Sequence, residues 1–245
     1  MKDKIRILIF GASGTIGTPL IRRLTKADYV ITAVSRNLHA KGHKLKTQGP
    51  PGYIVLEECN IYDEEKIINL VKQNSIVINL IGILAEKGKI NTFENVNEKF
   101  PSLLSKICKE YGVKQFIHLS SLGIDESSAD SYYAKSKLNG ESQIRKNFNE
   151  ATILRPSVVY SVDDDFTCKF MSLLNKIPFV FPIYYRGKTL FRPIHVSDLA
   201  EIIFQIILQD IKSETIECVG IEEISLKNIL QRLLILTGKK KLLLP

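Results

Sequence analysis

The sequence predicts a doubly wound α/β fold, a parallel sheet covered on both faces by helices, with a small C-terminal substrate-side region built onto it. Three observations carry this. The chain opens on a short β-branched apolar run, residues 5–10, that breaks into Gly11, Gly14 and Gly17. Strand-like and helix-like stretches then alternate as far as residue 154. Residues suited to bind or react fall repeatedly at the carboxyl ends of those strands, where open parallel sheets hold their ligands.

Ile5, Ile7, Leu8, Ile9 and Phe10 read as a buried strand, because so short a β-branched run ended by glycine favours strand over helix. Gly11 permits a sharp turn off the strand, Gly14 lets backbone approach a pyrophosphate, and Gly17 lets the next helix pack tightly on the sheet. That helix, residues 18–25, aims its N-terminal N–H groups and its dipole at any anion in the loop. A glycine pattern alone fits any strand-to-helix turn. With a strand before it, a helix after it and a second strand at residues 29–35, it marks a dinucleotide site, with Gly11, Ser13, Gly14, Thr15, Ile16 and Gly17 as expected contacts.

The second strand ends at Ser35-Arg36. An acidic residue here accepts from a ribose 2′-hydroxyl, whereas an arginine accommodates a 2′-phosphate. Arg36, followed by Lys41, therefore favours NADP(H), with NAD(H) the alternative cofactor if Arg36 merely opens a basic surface loop. Residues 36–52, rich in Lys, His, Gly and Pro, read as that exposed loop. Further strands are expected at residues 53–56, 76–81, 115–119 and 151–154. After the first of these, Asn60 is suited to hydrogen-bond an adenine edge and Ile61 to pack on its face, while Asp63 suits a helix cap before Glu64. Leu80, Ile81 and Gly82 close the next strand, and Gly82 lets backbone approach the cofactor.

The strand at residues 115–119 runs into Ser120-Ser121, and twelve residues past Ser121 begins the run YAKSK, with Tyr133 and Lys137 four apart. On a helix these two share a face, so the ammonium can lower the phenol pKa and hold ribose hydroxyls. Ser121 can hold a substrate oxygen while Tyr133 moves the proton that accompanies hydride transfer. Tyr132 does not fit, since Ser136 stands four residues on. His118, inside the strand, reads as a sheet residue.

These motifs resemble the extended and atypical short-chain dehydrogenase/reductase superfamily. The runs NLIG, FIHLSSLG, YAKSKLNGE and RPIHVSDLAE, with Arg155-Pro156-Ser157, further resemble the 39 kDa-type NAD(P)-binding accessory subunit of respiratory complex I and its bacterial epimerase/dehydratase-like relatives. The resemblance covers nearly the whole chain. It implies a Rossmann fold, and an oxidoreductase or epimerase acting on a small carbonyl, quinone-related or nucleotide-sugar substrate. Its alternative implication is a non-catalytic, nucleotide-stabilised accessory or assembly subunit of complex I or of a ubiquinone-related complex; the intact Ser121, Tyr133 and Lys137 favour retained chemistry. By the same resemblance Pro156 and Val158 flank the nicotinamide; their plainer reading is a strand-ending proline and a core valine. The chain ends short of the usual length, which implies a reduced or truncated substrate cap.

From Arg155 onward apolar clusters are broken by Pro156, Pro178, Pro182 and Pro193, with helices expected at residues 197–209 and 226–237. Ser225 suits an N-cap and Gly238 a position just past a helix end. This divides the chain into a dinucleotide-binding domain, residues 1–160, and a smaller substrate-side region, residues 161–245, interleaved with the main sheet. Asp163, Asp164 and Asp165 read as a solvated acidic loop with no further metal ligands nearby, and Asp198 as a helix cap. Five aromatics, Phe179, Phe181, Tyr184, Tyr185 and Phe191, fall within thirteen residues of a chain only 8% aromatic. Exposed, they would face a quinone-type ligand, a protein partner or a membrane; buried, they would line a substrate pocket.

The net charge of +8 and pI near 9.2 raise nucleic acid or an anionic membrane surface as partners. The charge is spread out, however, with no aromatic-interleaved basic stripe, so a Lys-rich solvated surface is expected and nucleic acid is not. Four cysteines, far apart and without a Cys-x-x-Cys pair, indicate neither a zinc site nor a disulfide framework. No uncharged run of transmembrane length and no room for a signal peptide before the first strand predict a cytoplasmic protein, while the resemblance implies one peripheral to the inner membrane through a respiratory complex.

Overall fold

The structure is a computed structural model and describes residues 4–244. Its first part lays down β1 (Arg6–Phe10), α1 (Gly17–Thr25), β2 (Val30–Ser35), α2 (Leu38–Lys46), β3 (Ile54–Glu58), α3 (Glu64–Lys72) and β4 (Ile76–Asn79). A π-helical turn, Glu94–Lys99, then leads directly into α4 (Phe100–Glu110), followed by β5 (Gln115–Leu119), α5 (Ile124–Ser127), α6 (Tyr132–Asn147) and β6 (Thr152–Pro156). These six strands pair in parallel in the order β3-β2-β1-β4-β5-β6. The order reverses between β1 and β4, which opens a crevice at their carboxyl ends.

Strand alternation explains the core. Ile7 and Ile9 enter one apolar cluster with Leu20, Ile21 and Leu24 of α1, while Leu8 and Phe10 enter another with Phe100, Leu104 and Phe116. Successive side chains of a strand point to opposite faces, so a sheet covered on both sides needs the continuous apolar run seen here.

The remainder adds β7 (Val159–Tyr160), α7 (Asp165–Lys176), β8 (Val180–Pro182), β9 (Leu190–Phe191), β10 (Ile194–His195), α8 (Val196–Leu208), β11 (Thr215–Cys218), β12 (Ile224–Ser225), α9 (Leu226–Leu236) and β13 (Leu242–Leu244). Strand β11 returns to the main sheet as a seventh strand parallel to β6, and α8 packs on α1, where the Arg23 guanidinium lies 3.4 Å from the Phe204 ring centroid. The other segments form short pairs, β10-β7, β12-β9 and β13-β8, around a third cluster containing Leu174, Phe181 and Leu230.

Three expectations need correction. Residues 36–52 are not all loop, because α2 occupies Leu38–Lys46. Asn37 caps it by accepting from the Ala40 N–H at 3.0 Å, Leu45 is buried, and a Cβ on Gly42 would lie only 3.2 Å from Leu56 Cδ1. Leu38 packs beside Leu45 on the core, its N–H donates to Glu58 at 2.9 Å, and the Gly-Pro turn residues of that segment come after the helix ends. Asp198 lies in the first turn of α8, but the cap is His195, whose Nδ1 accepts from the Ser197 N–H at 3.3 Å. Asp164 is not solvated: it is 2% exposed and caps α7, accepting from the Thr167 N–H at 2.7 Å. Asp63 and Ser225 cap α3 and α9 as expected, and Gly238 follows α9 with φ +66°.

The aromatic segment divides. Phe181 is buried and Phe191 half-buried against the third cluster, whereas Phe179, Tyr184 and Tyr185 are 83–85% exposed. Cys59, Cys108 and Cys218 are buried, Cys168 is half-buried, and all four are unpaired. Among the described residues no helix is long and apolar enough to cross a membrane.

Candidate functional site

The crevice at the sheet's switch point consists of two adjoining spaces. The smaller, about 230 Å³, is lined by Gly11, Ser13, Gly14, Arg36, Lys41, Cys59, Ile61, Leu80, Ile81 and Gly82. The larger, about 840 Å³, is lined by Thr15, Ile16, Leu80, Gly82, Ser120, Ser121, Tyr133, Lys137, Pro156 and Val158. Leu80 and Gly82 belong to both, so the spaces form one cleft across the ends of β1, β4 and β5. Two expected contacts stand outside its lining. Asn60 turns its Oδ1 onto the Tyr62 N–H at 3.3 Å, and Gly17 meets the loop instead of the sheet, a Cβ there falling 2.4 Å from Ala12 O.

The glycine loop can hold an anion. Gly11 has φ +81°, a left-handed conformation that favours glycine, and a Cβ on it would press within 3.2 Å of the Leu80 carbonyl carbon. The Gly14 N–H bonds Gly11 O at 3.0 Å, but among the described residues those of Ser13, Thr15 and Ile16 have no protein acceptor. Three free donors beside the N-terminus of α1 suit a pyrophosphate. The Ser13 and Ser35 hydroxyls stand 3.1 Å apart at the end of β2, next to Arg36.

At the other end α6 starts at a cap, Ser131 accepting from the Ala134 N–H at 3.3 Å, and carries Tyr133 and Lys137 on one face. Lys137 is 4% exposed; its Nζ donates to Leu119 O at 3.2 Å and stands where Gly82 leaves room, 2.7 Å from the position of a Cβ there. Burial pulls its pKa down to about 8, partly offset by Glu141 one turn on. Burial also pushes the Tyr133 phenol above its ordinary range, and the group that pulls it back is the Ser121 hydroxyl. The spacing predicts that influence from Lys137; in the structure Ser121 exerts it. Beneath them His118 is fully buried, with Nδ1 3.1 Å from Asn79 Nδ2 and its pKa held well below the usual range by burial and by Lys137. Its Nε2 and the Ser120 Oγ have no hydrogen-bond partner among the described residues.

Two supports escape sequence reading. Asn97, on the π-helical turn, accepts from the Ile83 N–H at 3.2 Å and donates to Ser136 Oγ at 3.2 Å, joining the β4 loop to α6. Arg155 of β6 donates to both oxygens of the buried Glu141, at 3.0 and 2.7 Å, and also to Asp125 of α5, so one guanidinium ties α6 to the cavity wall around Gly123. Neither is foreshadowed by a local period, since each joins residues far apart in sequence.

Among known proteins, the sequence model of the RmlD substrate binding domain matches residues 5–227. The 40 kDa subunit of NADH-ubiquinone oxidoreductase from Neurospora crassa is 29% identical over 214 residues, 86% of this chain and 55% of its own length. The mitochondrial NADH dehydrogenase [ubiquinone] 1 alpha subcomplex subunit 9 of Rattus norvegicus is 31% identical over 196 residues, 79% of this chain and 50% of its own. The chain thus spans about half the length of the curated relatives it matches. Among solved structures, UDP-glucuronic acid 4-epimerase from Bacillus cereus, in complex with UDP-glucuronic acid and NAD, superposes with a TM-score of 0.80. It is 21% identical, and the match covers 98% of this chain and 85% of the epimerase.

Proposed function

The chain belongs to the family of the RmlD substrate binding domain, and from that premise we propose that it binds a nicotinamide dinucleotide across the cleft and acts as an oxidoreductase or epimerase on a carbonyl or hydroxyl compound. The observation that carries this reading is the meeting of Ser121, Tyr133 and Lys137 on the wall of the 840 Å³ cavity, next to a glycine loop with free N–H groups. Such a dinucleotide supplies hydride exchange at the substrate carbon. The protein's part is to hold and to move protons. Ser121 Oγ holds the substrate oxygen, Tyr133 Oη gives or takes its proton, and the Lys137 ammonium anchors ribose hydroxyls beside Gly82. Arg36 and Lys41, at the adenosine end, favour NADP(H).

Turnover of a panel of carbonyls and quinones with NADPH tests this, comparing the wild type with Tyr133→Phe. The expected result is a loss of about 10²- to 10⁴-fold in the variant with dinucleotide affinity unchanged. A wild type that binds the dinucleotide but turns over nothing on the panel counts against the enzymatic reading.

A second reading is supported by the complex I relatives: a nucleotide-stabilised accessory or assembly subunit, peripheral to a respiratory complex, in which the same cleft holds a nucleotide without turnover. Its signature is a dinucleotide-dependent rise in melting temperature in both proteins, together with co-purification with respiratory subunits and no activity in either.

A further inference from the structure

Beside the reacting end of the cleft lies a second space of about 460 Å³ that shares Val158 and Phe166 with the 840 Å³ cavity. We propose that it is the binding site for the hydrocarbon tail of an amphipathic substrate whose carbonyl or hydroxyl head sits at Tyr133, an inference that rests on the enzymatic reading above. Aliphatic side chains make up one side of its lining, and His195, Asp198, Glu222 and Arg232 stand among the rest. Ile224, Ile229 and Leu233, each under a tenth exposed, line its inner side, while Ile221 and Leu236, 105% and 80% exposed, also line it and reach solvent. A concave apolar surface continuous with a polar reacting point suits a polar head on a hydrocarbon chain.

Charge argues against the competing occupant, a nucleoside diphosphate. A diphosphate is held by cations free to pair with it or by free backbone N–H groups such as those of the glycine loop. Lys137 of the larger space is the ribose anchor of the reading above, and the two arginines on these walls are already engaged: Arg192 Nε stands 3.4 Å from Glu223, and Arg232 Nη1 donates to Glu222 at 3.0 Å. Glu126 lines the 840 Å³ space and Asp198 the 460 Å³ one, and among the described residues neither has a cation within ion-pair range. His195 is also occupied, capping α8 through Nδ1 and packing its ring 5.1 Å from that of Tyr160. Such walls repel phosphate and are indifferent to hydrocarbon.

The test uses the full chain with N-phenyl-1-naphthylamine, a neutral apolar fluorophore, displaced by 2-alkanones from acetone to 2-tridecanone and, separately, by UDP-glucose. Probe fluorescence should rise on binding, and displacing potency should grow roughly threefold to fourfold per added methylene until the space is full. Ile221→Asp and Leu236→Asp alter exposed residues and leave the core alone; each should weaken the probe and the long ketones about tenfold while dinucleotide affinity stays unchanged. Absence of probe binding, binding indifferent to both substitutions, or displacement by UDP-glucose more potent than by 2-tridecanone overturns the proposal. Turnover is read separately with NADPH and NADH. Long ketones that bind in the expected way without being reduced leave the tail site standing and defeat the enzymatic reading instead.

Discussion

The sheet and the C-terminal segments around α7 and α9 treat apolar residues in opposite ways. In the sheet, alternate residues of each strand are consumed by helices on either face, and Ile7, Leu8, Ile9 and Phe10 are all fully buried. Around α9, Leu230 and Leu233 face a small cluster, but Ile235 and Leu236 are 78% and 80% exposed, as are most of the aromatics near β8. A parallel sheet closes on both sides, whereas strand pairs of two or three residues cover one side only. The contrast teaches that the glycine-loop end is shaped by its own packing, while the C-terminal segments keep apolar surface available for something else to cover.

The sharpest way to break this contrast is to truncate one phenylalanine from each region. Phe116→Ala, at a fully buried position, should cost about 3–5 kcal/mol in urea unfolding. Phe179→Ala, at a position 84% exposed, should stay within about 0.5 kcal/mol. Equal costs would mean that the exposed aromatics are covered in solution and that the two regions do not differ.

Next in size is the buried ammonium. Lys137 has its pKa lowered to about 8 from an ordinary 10.5, so between those values the unfolded chain holds a proton that the folded chain has lost. Stability should therefore rise with pH across that window, and below pH 8 the burial of the charge costs up to about 3 kcal/mol. Lys137→Met should remove this slope in melting curves between pH 7 and about 10.5, with a gain at pH 7 reduced by loss of the bond to Leu119. A slope that survives the substitution places its origin elsewhere. If the ammonium anchors ribose, wild-type dinucleotide affinity should fall as pH climbs through about 8.

The smallest effect expected is at the adenosine end. Arg36→Ala should weaken NADPH by about tenfold and leave NADH nearly unchanged in calorimetric titration, since only the former offers a 2′-phosphate. Equal or tighter wild-type binding of NADH removes Arg36 from the site.

The six strands through β6 were legible from sequence to within about two residues at each boundary, because β-branched runs ended by turn residues leave little choice. That Ser121, Tyr133 and Lys137 meet on one cavity wall was legible because helix spacing and a strand end fix them locally. What escaped was whatever depends on distant partners. Helix α2 has one apolar contact surface too small to register as a period, and β11 becomes a sheet strand only because β6 offers it a free edge. Asn60, read as a ligand contact, also accepts from the Tyr62 N–H within its own turn, a partner the spacing did not indicate. Asn97 and Arg155 carry no local signal, since their partners lie 14 to 39 and 14 to 30 residues away.

Asn97 bears on how the cleft is held. Its amide reads the backbone of Ile83 in both senses, accepting from the N–H and donating to the carbonyl at 3.4 Å, so its oxygen and nitrogen cannot exchange places. Its own carbonyl would lie 2.1 Å from a Cβ at Gly140, so the π-helical turn and α6 are in backbone contact as well. Side-chain and backbone contacts of this turn therefore tie the β4 loop to the helix bearing Tyr133 and Lys137. Gly82 and Lys137 thus stand on a bank of the cleft held by side-chain and backbone contacts alike, whereas the opposite bank, residues 158–166 and 189–192, is held by two-residue pairings.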